Sequence, residues 1–160
     1  MFCTTNNRTR QKRQHRKLLS IDPEDVPACF EANDELVNAR IVRVIDGYTV
    51  EVLFLHGGKV PTKIKIRVQG VNIPKLRSKR KIERKAARHV KEEVEKELSK
   101  QKVVEVVFYR WDKYGGRVLG DIQMNDGYLS DYLLVNCYGQ FYEGRKKIPF
   151  SDEDLERMFF

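Results

Sequence analysis

The chain has 160 residues, 41% of them hydrophobic, with 31 Lys+Arg against 23 Asp+Glu and a formal net charge of +8. That length holds one domain with its tails, and the apolar fraction suits a folded core rather than a fully disordered chain. No stretch approaches the ~20 consecutive apolar residues a membrane helix needs, so no membrane role is expected, and the positive sign favours polyanionic partners, nucleic acid or an acidic protein surface among them.

In chain order, Met1 to Ile21 carries six basic residues (Arg8, Arg10, Lys12, Arg13, Arg16 and Lys17) and no acid. Asp22 to Glu35 then carries six acids and no base, with Pro23 and Pro27. Few apolar residues interrupt these runs, so little burial offsets the entropy of ordering. Residues 1–36 therefore read as a flexible arm, basic and then acidic, able to tether a polyanion, dock on a partner or serve as a nuclear-localisation stretch. The opening Met1-Phe2-Cys3-Thr4-Thr5 leads into charge with no apolar run, so no secretory signal is expected and the location reads as intracellular (cytoplasm or nucleus) or virion. Cys3, Cys29 and Cys137 lie far apart and without a C-x-x-C spacing, which argues against a disulfide framework and a structural zinc site. His15, His56 and His89 are scattered and read as surface residues.

The folded part is predicted to start near Asn38. Arg40 to Ile45 is rich in β-formers, Asp46-Gly47 is a turn, and Tyr48 to Leu55 alternates as a second strand. His56 to Lys59 is the next turn, Lys63 to Val68 is a third strand with charged and apolar residues in alternation, and Pro74 ends that region. Ile82, Ala86, Ala87, Val90, Val94 and Leu98 make one apolar helical stripe, with Glu92–Lys96 as an i,i+4 pair. Lys102 to Tyr109 and Arg117 to Ile122 are strands four and five, with a loop from Asp112 to Gly116 between them and a turn at Asn125-Asp126-Gly127. Ser130 is expected to cap a helix from Asp131 to Tyr138 that Gly139 stops, and Ser151-Asp-Glu-Asp154 fits a capping box. The fold class expected is α+β, mainly β: a five-stranded OB-type barrel over residues 37–150, with a helix between strands 3 and 4, C-terminal helices, and a short terminal helix in residues 151–160.

Three short motifs sit on these elements in order: Asp46-Gly-Tyr-Thr-Val50, Arg67-Val-Gln-Gly-Val-Asn-Ile-Pro74 and Asp112-Lys-Tyr-Gly115 with Arg117 following. Together they resemble the staphylococcal-nuclease-like (thermonuclease-like) family, whose pattern reads D-G-D-T, R-L-x-G-I-D-T-P-E and D-K-Y-G-R, over about Ala39 to Phe150. The resemblance implies an ancestral calcium-dependent hydrolysis of DNA and RNA: carboxylates for the metal, a Glu for the attacking water, and two arginines on the phosphate. At the metal positions this chain has Tyr48, Asn72 and Ile73, and at the Glu position it has Lys75. The phosphate arginines correspond to Arg67 and to Arg117, the latter displaced by one extra glycine. Lys113 and Tyr114 match the loop that faces a nucleotide.

A neutral amide, an aromatic and an alkyl group are poor ligands for a hard cation, and an ammonium repels it. No catalytic residue, metal ligand or cofactor is therefore expected. Beside the same loops lies a dense basic run: nine Lys/Arg fall between Lys75 and Lys91 against one acid, Glu83. Lys75, Arg77, Lys79, Arg80, Lys81 and Arg84 join Arg67, Lys113, Tyr114 and Arg117 as candidate phosphate or nucleic-acid contacts. Tyr142 either stacks on a base or is a partly buried aromatic. The expected function is a catalytically degenerate, non-enzymatic module that binds nucleic acid or protein through cleft and arm, mainly at phosphate and with steep salt dependence. Two alternatives stand beside it: an active nuclease with a rearranged metal site, which would use calcium, and a structural component of a larger assembly. The spelling from Asp112 to Gly120 and from Tyr142 to Lys147 is similar to versions in large DNA viruses and phages, so a viral particle belongs to the second alternative.

Overall fold

A computed structural model describes residues 19, 20, 32, 34 and 36–160 except Tyr114, and the basic arm expected at the N-terminus lies outside these described residues. Three long strands come first: β1 (Leu36–Asp46), β2 (Thr49–His56) and β3 (Val60–Val68). Each hairpin turn is made by the residues expected. Asp46 Oδ1 accepts from the Tyr48 backbone N–H at 3.1 Å, and Gly57 and Gly58 take positive φ. β1 starts at Leu36, earlier than the strand-formers at Arg40 indicate, because its first residues pair with a later strand, β5 (Val104–Trp111). Register shifts after Ile41 and after Val44 bend β1, so that one strand serves two neighbours.

β6 (Val118–Met124) pairs antiparallel with β5 and parallel with β3, at Ile66↔Val118, Arg67↔Leu119 and Val68↔Gly120. That parallel contact closes a five-stranded barrel from β1, β2, β3, β5 and β6. The fold is therefore an α+β, mainly β, OB-type barrel, as the element order predicts. Short pairs extend it: β4 (Val71–Asn72) with β8 (Gln140–Phe141), and β7 (Gly127–Tyr128) with β6.

The core follows the period-2 pattern. Val50, Val52, Phe54, Ile66, Val68, Val106, Phe108, Val118 and Ile122 point inward and are buried, with the Phe54 and Phe108 rings 5.1 Å apart. Helix α1 (Lys81–Leu98) seats Ala86, Ala87, Val90, Val94 and Leu98 of the predicted stripe on this barrel. Each Val or Leu so buried stabilises the fold by about 1.5–3 kcal/mol. The surface pair expected between Glu92 and Lys96 does not form. Lys96 reaches Glu93 at 3.6 Å instead, and Lys91 meets Glu95 at 3.5 Å, because i+3 and i+4 neighbours are both within reach on a helix. His89, read as a surface residue, packs against the rings of Tyr138 and Phe159 at 5.8 and 5.2 Å.

The next helix differs most from expectation. α2 is Leu129–Val135, not Asp131 to Tyr138, and Ser130 lies inside its first turn. A tertiary group replaces the expected cap: Asp121 Oδ1, from β6, accepts from the Ser130 N–H at 3.2 Å and from the Ile122 N–H at 2.8 Å. Asn136 ends the helix by donating to the Tyr132 carbonyl at 2.8 Å, and Cys137, not Gly139, takes the left-handed conformation at φ 57°. Gly139 is needed for proximity: a Cβ there would lie 2.6 Å from Val71 Cγ1 and 2.9 Å from the Asn72 carbonyl oxygen. α3 (Asp152–Arg157) has the predicted capping box, with Ser151 Oγ accepting from the Asp154 N–H at 3.0 Å. It buries Leu155, and Ala32–Phe160 forms one compact unit, so the terminal helix is part of the barrel domain rather than an appendage.

Two expected outcomes follow from this packing. A Cβ at Gly120 would sit 2.2 Å from the Val107 carbonyl oxygen, a backbone atom that has no rotamer to escape into. Gly120→Ala should therefore lower unfolding free energy by at least about 3 kcal/mol in urea titration, and an unchanged midpoint would refute the contact. Burial raises the Asp121 carboxyl from 3.8 to about 6, despite its two backbone hydrogen bonds. Between those values the folded state holds more protons than the unfolded one, so stability is highest below the lower value and falls as pH rises through the upper. The difference, at 1.36 kcal/mol per unit, is about 3 kcal/mol. Asp121→Asn, which keeps an acceptor oxygen, should flatten this decline in denaturation curves taken between about pH 4 and pH 7.

Candidate nucleic-acid interface

The Asp46-Gly47 turn and the end of β3 meet where the Val68 N–H donates to the Tyr48 carbonyl at 2.8 Å. Gly47 permits this approach, since a Cβ there would lie 2.6 Å from Val90 Cγ1 and 2.8 Å from Ile73 Cδ1. Arg67 is the penultimate residue of β3, and its guanidinium carbon lies 4.8 Å from the centre of the Tyr48 ring and 5.8 Å from that of Tyr142. Tyr142 is held on both sides: its N–H donates to the Gly70 carbonyl at 2.8 Å, and its hydroxyl donates to the Arg145 carbonyl at 2.9 Å. Lys147 completes the group, with Nζ 5.7 Å from the Tyr48 ring centre and 5.4 Å from that of Tyr142. Two cations thus share two aromatic rings within cation–π range. Among the described residues neither Arg67 nor Lys147 forms an ion pair.

This quartet is one wall of a cleft of about 420 Å³, and Arg110, Trp111, Asp112, Lys113, Arg117, Leu119 and Gly144 line the rest. Among the described residues five basic side chains and one carboxylate line it, a local net charge of +4. The carboxylate, Asp112, is engaged: Arg117 Nε donates to its Oδ2 at 2.5 Å, while the Asp112 N–H donates to the Arg117 carbonyl at 3.0 Å. Gly115 and Gly116 take φ of 71° and 72°, a conformation that lets the loop fold back to make this double contact.

The sequence-derived candidates divide. Arg67, Lys113, Arg117 and Tyr48 line the cleft. Tyr114 lies outside the described residues. Ile73 and Asn72 are buried. Lys75, Arg77, Lys79 and Lys81 are exposed and do not line the cleft. Arg80 and Arg84 have structural partners: Arg80 donates to the Phe150 carbonyl at 2.6 Å and pairs with Asp152, and Arg84 donates to the Ser78 and Lys79 carbonyls at 2.8 Å each. The lone acid of that run, Glu83, accepts from the Lys75 N–H at 3.1 Å and the Ser78 hydroxyl at 2.5 Å, which pins the loop ahead of α1.

Sequence reading missed Arg110, Trp111, Gly144 and Lys147 as cleft residues. The first two are aimed by a register shift between Phe108 and Arg110, a bulge that alternation cannot anticipate. For Lys147 the basic run Arg145-Lys146-Lys147 was a signal, though a charge run alone does not select one of its members.

The positions that the family resemblance assigns to calcium do not fit that ion. Tyr48 offers a ring already faced by two cations, Ile73 is alkyl and buried, and Asn72 supplies one neutral amide. Among the described residues no group of three or more His, Cys, Asp and Glu is placed to hold a metal ion. No family model matches the chain, and no curated protein matches it at a significant level.

Neutralising Asp112 should raise the positive potential of the cleft and release Arg117 from its ionic partner. Asp112→Asn is expected to bind inorganic pyrophosphate more tightly in calorimetry while melting at a lower temperature, since a neutral amide holds the guanidinium less well by about 1–3 kcal/mol. Weaker pyrophosphate binding in the variant would count against the cleft as an anion site.

Proposed function

We propose that this chain is a non-hydrolysing member of the staphylococcal-nuclease-like family that binds nucleic acid by its phosphate backbone, in the cleft walled by Tyr48, Arg67, Arg117, Tyr142 and Lys147. The observation that carries this reading is the aromatic seating of Arg67 and Lys147. A carboxylate partner would orient these cations and also cancel their charge. A tyrosine face orients a cation through its quadrupole and leaves the full charge to be offered to an anion. Arg67 brings a planar fork suited to two phosphate oxygens, and Lys147 a point charge beside it. The ion-paired Arg117 and the exposed Lys113 and Arg110 extend the basic lining.

Aromatic walls favour nucleic acid over an acidic peptide. Trp111 lines the cleft and is 47% exposed, and stacking of a base on such a ring contributes about 1–3 kcal/mol irrespective of base identity. Hydrolysis finds little support in the same residues. A metal-dependent mechanism needs acidic oxygens near the scissile phosphate, and the one carboxylate lining this cleft is held by Arg117.

Trp111 is the only tryptophan of the chain and so reports on the cleft directly. Titration with a single-stranded octanucleotide should quench its fluorescence. The logarithm of affinity should fall with that of salt at a slope of about −1.4 to −2.1, as expected for two or three phosphates. Arg67→Ala and Lys147→Ala should each weaken binding about tenfold, and the oligonucleotide should stay intact with calcium, magnesium or manganese. Chelator-sensitive cleavage that Arg67→Ala abolishes would establish a working nuclease instead, and the absence of quenching by DNA and RNA alike would refute the binding reading.

A further inference from the structure

We infer that a second, smaller pocket adjoining the cleft receives one nucleobase, and that the Asn72 carboxamide is the group that reads it; this rests on the phosphate-backbone reading of the cleft. The pocket holds about 210 Å³, and Tyr142 lines both it and the cleft. The pocket and the cleft that holds Arg67 and Lys147 therefore share a wall.

The pocket offers both apolar surface and hydrogen-bonding groups, which a nucleobase can use together. Phe141 and Ile148 line it and are 68% and 72% exposed, so they present apolar surface to solvent at its rim. Asn72 and Gln140 line its interior, facing each other across the β4–β8 pair, which fixes their backbones. Tyr142, Glu143, Arg145 and Lys146 complete the lining, so the pocket joins apolar surface to polar and charged groups.

Asn72 supplies the specific observation. It is 5% exposed, and its Oδ1 is buried without a hydrogen-bond partner among the described residues. Buried polar atoms are nearly always paired, so an orphan on a residue that lines a pocket points to a ligand or water that supplies the missing bond once the carboxamide turns toward the pocket. Rotation about Cβ–Cγ exchanges the carbonyl and amino ends. The carboxamide can therefore meet a base edge that carries a donor next to an acceptor, the pairing by which asparagine recognises bases elsewhere. The backbone contacts of the cleft carry no such information, which makes Asn72 a specificity-determining residue rather than a source of bulk affinity.

The test compares octamers of deoxyadenosine, deoxycytidine and deoxythymidine with an abasic octamer, read by Trp111 quenching. The wild-type chain should prefer one base over the weakest by about fivefold or more and bind the abasic strand most weakly. Asn72→Leu should bring the three bases within about twofold of one another and leave the salt slope unchanged. Phe141→Ser, at an exposed position, should reduce the advantage of based over abasic DNA. Equal wild-type affinity for all four octamers overturns this inference and leaves the phosphate reading intact. Loss of all binding overturns both. A base preference that survives Asn72→Leu overturns the assignment of Asn72.

Discussion

The parallel contact between β3 and β6 spans three residue pairs, and the cleft exists because of it. Without that closure Arg67 would stand at a sheet edge and Arg117 at the end of an unrelated strand. With it, Arg67 pairs beside Leu119 and the Asp112–Arg117 loop is folded over the same end of the barrel. On its other side β6 packs against β5, where the missing Cβ of Gly120 leaves room for the Val107 carbonyl.

Once those loops meet, the electrostatics are set by what faces each cation. Two groups of basic residues stand apart in this domain. Arg80, Arg84 and Arg117 donate to carbonyls or carboxylates and hold loops and helices in place. Arg67 and Lys147 lie over aromatic rings and, among the described residues, form no ion pair. The first group stabilises the fold through charge-assisted hydrogen bonds, and the second builds a positive potential in a concave, partly desolvated surface, where it attracts anions most strongly. Tyr48 shows the difference: its phenol ring orients the Arg67 guanidinium, whereas a carboxylate at that position would also neutralise it.

The proposed function rests on the same separation, since a cleft of this make-up offers positive charge without free acidic oxygens among the described residues. Holding a phosphodiester requires orientation and positive charge, which two arginines and a lysine supply. Cleaving it requires acidic oxygens for a metal or a base for water, and the cleft's one carboxylate is engaged by Arg117. Selectivity for a base would then come from a neutral group placed beside the charges, the role inferred for Asn72.

Local chemistry determined much of the architecture from sequence alone. Alternation in Lys63 to Val68, the Asp46-Gly47 and Gly57-Gly58 turns, the Ala86–Leu98 stripe and the Ser151 capping box each depend on neighbours within a few residues, and each forms where those neighbours place it. The family resemblance likewise pointed to Arg67, Lys113 and Arg117, all of which line the cleft. Features that depend on distant partners were decided by tertiary structure. Asp121, nine residues from Ser130, accepts from the Ser130 N–H inside the first turn of α2, which starts at Leu129 rather than Asp131. The bulge in β5 chose Arg110 and Trp111 for the cleft, and the β4–β8 pair enclosed Asn72 beside Gln140. The reason is one of range: periodicity and turn preference encode short-range sterics and hydrogen bonding, whereas the company a side chain keeps across a closed barrel is fixed only when strands distant in sequence pair and shut it.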